Sequence, residues 1–378
     1  MKKNILKMVF VGGGTQGHVS PNLAIISEIK KIAQKKNLWI DFLYVGRKGG
    51  IEKEIVEKQG LKYKGIFTGK LRRYWSWRNF SDPFLILIGL LQSFLILIFN
   101  RPNLVFAKGG FVTVPFGLAC ALLQVPLVIH ESDSRLGLSN KILQPFAKRI
   151  YLGFPPEAYV NRLMLSKIFF SGNPVREEIF NNQLSKKDFY EKYGLNKKKK
   201  VIFVFGGSQG AGAINKLIDQ LISRIVKKYI LIHSTGREHE NYFKEGFFDL
   251  NEKDRKDYLV FGYIGNEMPE FLNNADLIIS RAGANSVAEI IAAEKPSIII
   301  PLSSAAGDHQ KKNAEYLERK KVAAVLEEKN LTPDKLWKEI DFLINNKKAT
   351  NAMIKNMENV FPRNSGRVIA EDILKNVK

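Results

Sequence analysis

Cysteine is almost missing from this chain. Cys120 is the only one, so neither an intramolecular disulfide nor a cysteine-rich zinc site can form, and the residue reads as a small core side chain. Such scarcity fits a reducing compartment. Histidine is rare too, at five residues, so one that falls beside a glycine-rich turn bears on chemistry. No phosphate-loop lysine motif, no zinc-ligand spacing and no D-x-D that would hold a metal-bound nucleoside diphosphate occurs, so no metal or other cofactor is expected. Acidic residues are outnumbered 37 to 59, and the net charge of +22 implies an anionic partner. Part of that excess, such as Lys197–Lys200, reads as a solvated turn. No secretory leader is expected, because the apolar stretch after Met1–Lys7 is short and runs into glycines. The strongest apolar run, Phe84–Phe99, falls short of the roughly 18–20 residues of a spanning helix and is interrupted by Gln92 and Ser93. A buried helix or one lying on a membrane is expected there.

What is present is the composition of a soluble globular protein, 45% hydrophobic and 25% charged, in a chain of 378 residues that suits two domains of roughly 150–200 residues each. An internal echo organises it. Gly13-Gly14-Thr15-Gln16-Gly17 and Gly206-Gly207-Ser208-Gln209-Gly210 stand 193 positions apart. Each follows an apolar strand (Leu6–Val11; Val201–Phe205) and precedes an amphipathic helical pattern (Asn22–Ile32; Ala213–Val226). That is the opening of a Rossmann-type domain, met twice. Further strands are predicted at Leu38–Val45, Leu104–Ala107, Pro126–His130 and Arg149–Leu152. In the second half they are predicted at Tyr229–Ser234, Tyr258–Phe261, Ala275–Ser280, Ser297–Pro301 and Val322–Leu326. Alternation with helices predicts an α/β protein of two Rossmann-like parallel-sheet domains facing a cleft. The turn Ser171-Gly172-Asn173-Pro174 places the division between residues 1–170 and 171–378. A tail of one or two helices from Met353 to Lys378 is expected to end the second domain, with its final helix able to pack back on the first.

Chemistry is expected where strands end in glycine-rich, polar loops. A helix N-terminus offers unpaired N–H groups and the positive end of its dipole to a phosphate, and glycine lets backbone approach closely. Neither loop is a strict G-x-G-x-x-G, and no acidic residue stands where an adenosine ribose would be held, which disfavours a dinucleotide. His18 follows the first loop at once; an imidazole there is a natural general base for a hydroxyl, or simply a helix-start side chain bonded to backbone. In Ser280–Glu289, the amides of Ala284 and Asn285 suit a phosphate. Glu289, about a turn into the helix, can accept from two sugar hydroxyls or only offset the helix dipole. Gly307–Asn313 opens another helix, with side-chain amides suited to sugar hydroxyls. Without a metal, a phosphate leaving group needs arginine, and Arg176 is the candidate, with a surface ion pair as its bland alternative. Lys70, Arg72, Arg73 and Arg78 interleave with Tyr74, Trp75 and Trp77 just before Phe84 and Leu85. Basic residues, interfacial aromatics and an apolar helix together read as a lipid-surface anchor; nucleic acid is disfavoured beside so long an apolar run.

These blocks, from GGGTQGHVSPNLA through KGGFVTVP, HESDSRLGLSNK, SGNPVR, GGSQGAGAIN and SRAGANSVAEI to DHQKKNAEYL, resemble the N-acetylglucosaminyltransferases of glycosyltransferase family 28 over nearly the whole chain. The resemblance implies a GT-B fold and inverting transfer of GlcNAc from UDP-GlcNAc to undecaprenyl-diphosphate-MurNAc-pentapeptide, converting lipid I to lipid II. It also implies a peripheral position on the cytoplasmic face of the cell membrane. It places Ser208 and Arg176 at the donor diphosphate with the amides of Ala284 and Asn285. Tyr263 and Ile264 fall at uracil, Glu289 at ribose, and His309 and Gln310 at GlcNAc. Thr15, Gln16, Gly17, His18 and Asp133 also touch the sugar nucleotide. The acceptor diphosphate falls to Gly14, Thr15, Gln16, Gly17, Gly109 and Gly110, and the membrane patch to Arg72, Arg73, Trp75, Trp77, Phe84 and Leu85. Three departures stand out: Gln16 replaces a loop glycine, His130-Glu131-Ser132-Asp133 replaces an HEQN block, and Phe111 stands where a tyrosine is common. Asp133 and Glu131 are rival bases to His18. A UDP-GlcNAc 2-epimerase or a non-catalytic nucleotide-sugar-binding module are the alternative readings.

Overall fold

The computed structural model describes residues 5–14, 16–69, 78–159, 165–181, 184–207, 211–246, 250–303 and 308–377. The chain forms two compact units, residues 1–175 with 362–378, and 176–361. The first holds a seven-stranded sheet of β1 (Ile5–Val11), β2 (Trp39–Arg47), β3 (Lys62–Ile66), β4 (Leu104–Ala107), β5 (Leu127–Glu131), β6 (Arg149–Leu152) and β7 (Ile168–Phe170). All pairings are parallel, in the order β3-β2-β1-β4-β5-β6-β7. The second holds β8 (Val201–Phe205), β9 (Ile230–Ser234), β10 (Tyr258–Phe261), β11 (Leu277–Ser280), β12 (Ser297–Ile299) and β13 (Ala324–Val325), parallel in the order β10-β9-β8-β11-β12-β13. Both sheets reverse direction of growth beside their first strand, which puts the switch point at the ends of β1 and β4 in one unit and of β8 and β11 in the other.

The inner strands β4 and β8 read as continuous apolar runs because both faces are covered. In β1, Val9 and Val11 belong to one core with Leu97, Phe116 and Cys120, while Met8 and Phe10 belong to the other with Ile25, Ile29, Ile369 and Ile373. The last helix, Ser365–Asn376, therefore completes the first unit. Arg149 grips Asp372 through two hydrogen bonds of 2.8 and 3.1 Å, and the Tyr151 hydroxyl donates to it at 2.8 Å. The division between units falls at Val175 and Arg176, five residues beyond the expected one, and residues 362–378 return to the first unit. The helical pattern at 213–226 is broken into Gly212–Asp219 and Ile222–Lys228.

The apolar run lies within a helix, Arg78–Asn100, longer than the run itself. Its window Asp82–Asn100 is long and apolar enough to cross a membrane by length and composition. It is not a wholly buried helix. Ile96 and Leu97 enter the core beside Phe116, but Phe84 and Phe99 are 70% and 78% exposed, and Leu87, Ile88, Leu91, Leu95 and Ile98 share that open stripe. Gly89 makes the inner face possible, since a Cβ there would strike the Phe67 carbonyl.

Candidate functional site

The two glycine loops carry the same backbone device. Gly14 and Gly207, which the internal echo pairs, hold φ of 88° and 87°, a left-handed conformation that side chains disfavour. Each turns the chain out of a strand end toward a helix start. Thr15 and Ser208 lie outside the described residues, as does the Gln16 side chain.

On the first unit, the helix Gln16–Lys35 begins at the switch point, so His18 occupies its first turn. The Gly109-Gly110 turn after β4, with φ of 102° and 83°, passes beside the ring. A Cβ on Gly110 would lie 3.3 Å from His18 Cδ2 and 2.8 Å from the Gly13 carbonyl. Phe111 packs over Gly14. His18 Nδ1 is buried with no hydrogen-bond partner among the described residues. Burial, and then the Lys108 ammonium, push its pKa down to about 4, so the ring is neutral and able to accept a proton.

Both carboxylate oxygens of Glu131 are engaged within its own turn. One carboxylate oxygen accepts from the Gly137 amide at 2.7 Å and from Asn140 Nδ2 at 2.9 Å, and the other accepts from the Asp133 amide at 3.1 Å. It organises the 131–137 turn instead. Burial and Asp133 raise its pKa, against those three donors. Asp133 is partly exposed, and its carbonyl accepts from the Tyr159 hydroxyl at 2.7 Å. Sequence reasoning passed over Lys108, which is 1% exposed and reaches His130 Nδ1 at 2.8 Å and the Ser132 hydroxyl. Lysine ordinarily marks surface, and only the pairing of β4 with β5 brings these groups together.

On the second unit, the structure brings Arg176, Gly265 and Glu289 into one cluster. Arg176 Nε donates to Glu289 Oε1 at 3.2 Å and Nη1 to the Gly265 carbonyl at 2.9 Å. Burial raises the Glu289 pKa and Arg176 opposes it. Ile264 is buried beside them, whereas Tyr263 is exposed with Arg237 over its ring at 5.5 Å, a pair the sequence did not reveal. Ala284 and Asn285 open the helix Ala284–Ala292 at the switch point, with their amides in its first turn. The helix His309–Arg319 is fastened to that loop by Asn313, which donates to the Ala282 carbonyl at 2.9 Å. Gln310 Oε1 accepts from the Leu302 amide at 2.9 Å, which fixes the side chain over the 301–303 loop. His309 Nδ1 is buried with no partner among the described residues. A second network, unseen in sequence, links Arg281 to Glu328 at 2.8 Å and Glu328 to the Ser303 amide and hydroxyl, both at 2.9 Å. It pins the 301–303 loop against β11.

Of the membrane candidates, Phe84 stands in the exposed stripe, while Arg72, Arg73, Trp75 and Trp77 lie outside the described residues. Leu85, at the same helix start, is half-buried and does not belong to that stripe.

Comparison with known proteins agrees with this architecture. Residues 8–152 match the glycosyltransferase family 28 N-terminal domain and residues 201–369 the family 28 C-terminal domain. The chain is 37% identical over 374 residues to a UDP-N-acetylglucosamine–N-acetylmuramyl-(pentapeptide) pyrophosphoryl-undecaprenol N-acetylglucosamine transferase of Clostridium botulinum (strain Kyoto), covering 98% of this chain and 99% of that one. A Bacillus thuringiensis (strain Al Hakam) protein of the same name, numbered 3, is 38% identical over 92% and 94% of the two chains. The crystal structure of Acinetobacter baumannii MurG superposes with a TM-score of 0.72 at 24% identity, over 98% of this chain and 99% of that one. A UDP-GlcNAc 2-epimerase from Neisseria meningitidis, bound to UDP-GlcNAc, reaches 0.68 at 13%, over 98% and 100%, a likeness of fold alone. With both family models matched in order and relatives of this identity aligned end to end, the chain belongs to glycosyltransferase family 28 and is a glycosyltransferase.

Proposed function

We propose that this enzyme transfers GlcNAc from UDP-GlcNAc to the MurNAc 4-hydroxyl of undecaprenyl-diphosphate-MurNAc-pentapeptide, with inversion, as a peripheral protein on the cytoplasmic membrane face. The observation that carries the reading is end-to-end kinship, at 37% identity, with transferases that bear this name. The second unit takes the donor. Arg176 and the first-turn amides of Ala284 and Asn285 meet the diphosphate, and the second carboxylate oxygen of Glu289 accepts from ribose. The amide hydrogens of Gln310 reach GlcNAc. On the first unit, the Gly14 and Gly109-Gly110 turns receive the acceptor diphosphate. His18 takes the proton of the attacking hydroxyl while UDP departs, its charge met by arginine and helix N-termini rather than by a metal.

The open stripe of the Arg78–Asn100 helix supports the membrane reading. Because Ile96 and Leu97 are fixed in the core, the helix lies on the bilayer rather than crossing it. The test is UDP release from UDP-GlcNAc with and without a short-chain lipid I analogue. Release that depends on the analogue, with a disaccharide product, is expected. Conversion of UDP-GlcNAc alone to UDP-ManNAc would make the protein an epimerase, and neither reaction would leave a binding module.

A further inference from the structure

Lys108 is the only lysine among the described residues with under 9% exposure. A buried ammonium is unfavourable unless it is paired and hydrogen-bonded, and here each requirement is met by the end of β5. Nζ lies 2.8 Å from His130 Nδ1 and donates to the Ser132 hydroxyl. His130 Nε2 stands 3.2 Å from the Gly172 carbonyl, which can only accept. The ring therefore carries its proton on Nε2 and offers Nδ1 as acceptor to the lysine. Burial pushes the Lys108 pKa down to about 7, and Glu131 and Asp133 oppose that shift with their charge. The main chain of Lys108 donates to the Val11 carbonyl at 3.0 Å, at the base of the first glycine loop, and Gly109-Gly110 follow directly beside His18.

We propose that Lys108 is a positioning residue of the acceptor half. Its buried ammonium fastens the β5 end to the glycine turn that flanks His18 and balances the Glu131 and Asp133 carboxylates. The inference rests on the transferase reading above for its kinetic consequences, but not for its structural ones. Lys108 is the charged group that acts on His18; Glu131 and Asp133 act on Lys108, and Glu52 lies behind Gly13. Loss of the lysine charge thus raises the His18 pKa, while the β5 end loses its tie.

The experiment compares the full-length wild type with Lys108→Met and Ser132→Ala. Imidazole NMR titration, with the His18 signal assigned through His18→Gln, gives a readout independent of turnover. Lys108→Met should raise the His18 pKa by about half a unit or more, since an ammonium nearby disfavours the imidazolium. It should lower kcat by about tenfold or more and leave the KM for UDP-GlcNAc and the affinity for UDP within about twofold. Ser132→Ala, which removes one tie and no charge, should lower kcat by a smaller factor with the His18 titration unmoved. A folded Lys108→Met with wild-type His18 titration and wild-type kcat overturns the proposal. Should that variant not fold, wild-type kcat in Ser132→Ala overturns it. Absence of transfer in the wild type, with the His18 shift present, would instead sink the transferase reading alone.

Discussion

His18 occupies the first turn of its helix with Nδ1 buried, and its pKa is pushed down to about 4. A base so placed is unprotonated throughout the neutral range, so an acid limb due to His18 belongs near pH 4 rather than near the ordinary value of about 6.5. The kcat/KM profile should stay flat from pH 7 to about 5. A limb near 6.5 would mean that the ring is open to water. His18→Gln, which can hydrogen-bond but not take a proton, should lower kcat by roughly 10²–10⁴-fold with donor binding intact. Near-normal turnover would leave the ring a mere positioner and return the search to Asp133. For the donor, Glu289→Ala removes the carboxylate that holds Arg176. Charge-assisted hydrogen bonds are worth about 1.5–3 kcal/mol, so UDP affinity by calorimetry should fall roughly 10–100-fold with the KM for lipid I unchanged. An unaltered UDP affinity would detach Glu289 from ribose. The placement of His18, Arg176 and Glu289 beside strand-to-helix turns was legible because each sits at a fixed offset from a turn that glycine or proline marks in the sequence. Lys108 stood in the same KGGF block and was passed over. What makes it special is a β5 end more than twenty residues away, which no local spacing discloses.

Among elements, apolar runs were readable, and a polar or very short edge strand was not. β4, β6, β8 and β10 match the expected runs residue for residue, because each is a short, almost wholly apolar run between polar segments. β3 was missed, since Lys62 and Lys64 give it a polar face at the sheet edge, and β7 is a three-residue edge strand read as part of the domain junction. The apolar helix was visible as a run, but which of its residues face outward depends on Gly89 and on the core beneath. That division gives a test. Leu87, Leu91 and Leu95 are all exposed, at 61%, 64% and 47%, so a triple replacement with serine should fold normally. A leucine fully withdrawn from water contributes about 1.5–3 kcal/mol. Even partial insertion of three therefore predicts a fall of at least about a hundredfold in partition onto anionic vesicles, with UDP binding unchanged. Undiminished partition would transfer the membrane contact to the basic and aromatic segment before the helix.

For the whole molecule, stability should depend on pH through its buried histidines, against a net charge of +22 that already disfavours acid conditions. Burial pushes His18 down to about 4 and His233 down to about 3, and burial with Lys108 holds His130 well below the ordinary range. Each is neutral when folded and protonates near 6.5 when unfolded, so the unfolded chain binds more protons as pH falls. Stability from these groups is therefore complete above about 6.5 and drains away toward the folded values. Each net proton is worth about 1.4 kcal/mol per pH unit. Glu131, raised to about 7, acts in the opposite sense in the first unit, and Glu289, also raised, does so in the second. The cleanest probe is His233, whose ring lies between the Tyr258 hydroxyl at 3.0 Å and Asn215 Oδ1 at 3.1 Å, with no carboxylate among those contacts. His233→Gln should lower stability at pH 7.5, because both contacts are disturbed. Between pH 6.5 and 4.5 it should also flatten the pH dependence by about one proton, roughly 1.4 kcal/mol per unit. Urea unfolding followed by hydrogen exchange at Ile230–Ser234 reads the second unit alone. A slope equal to that of the wild type would show that the His233 ring is reached by water and protonates in the folded protein.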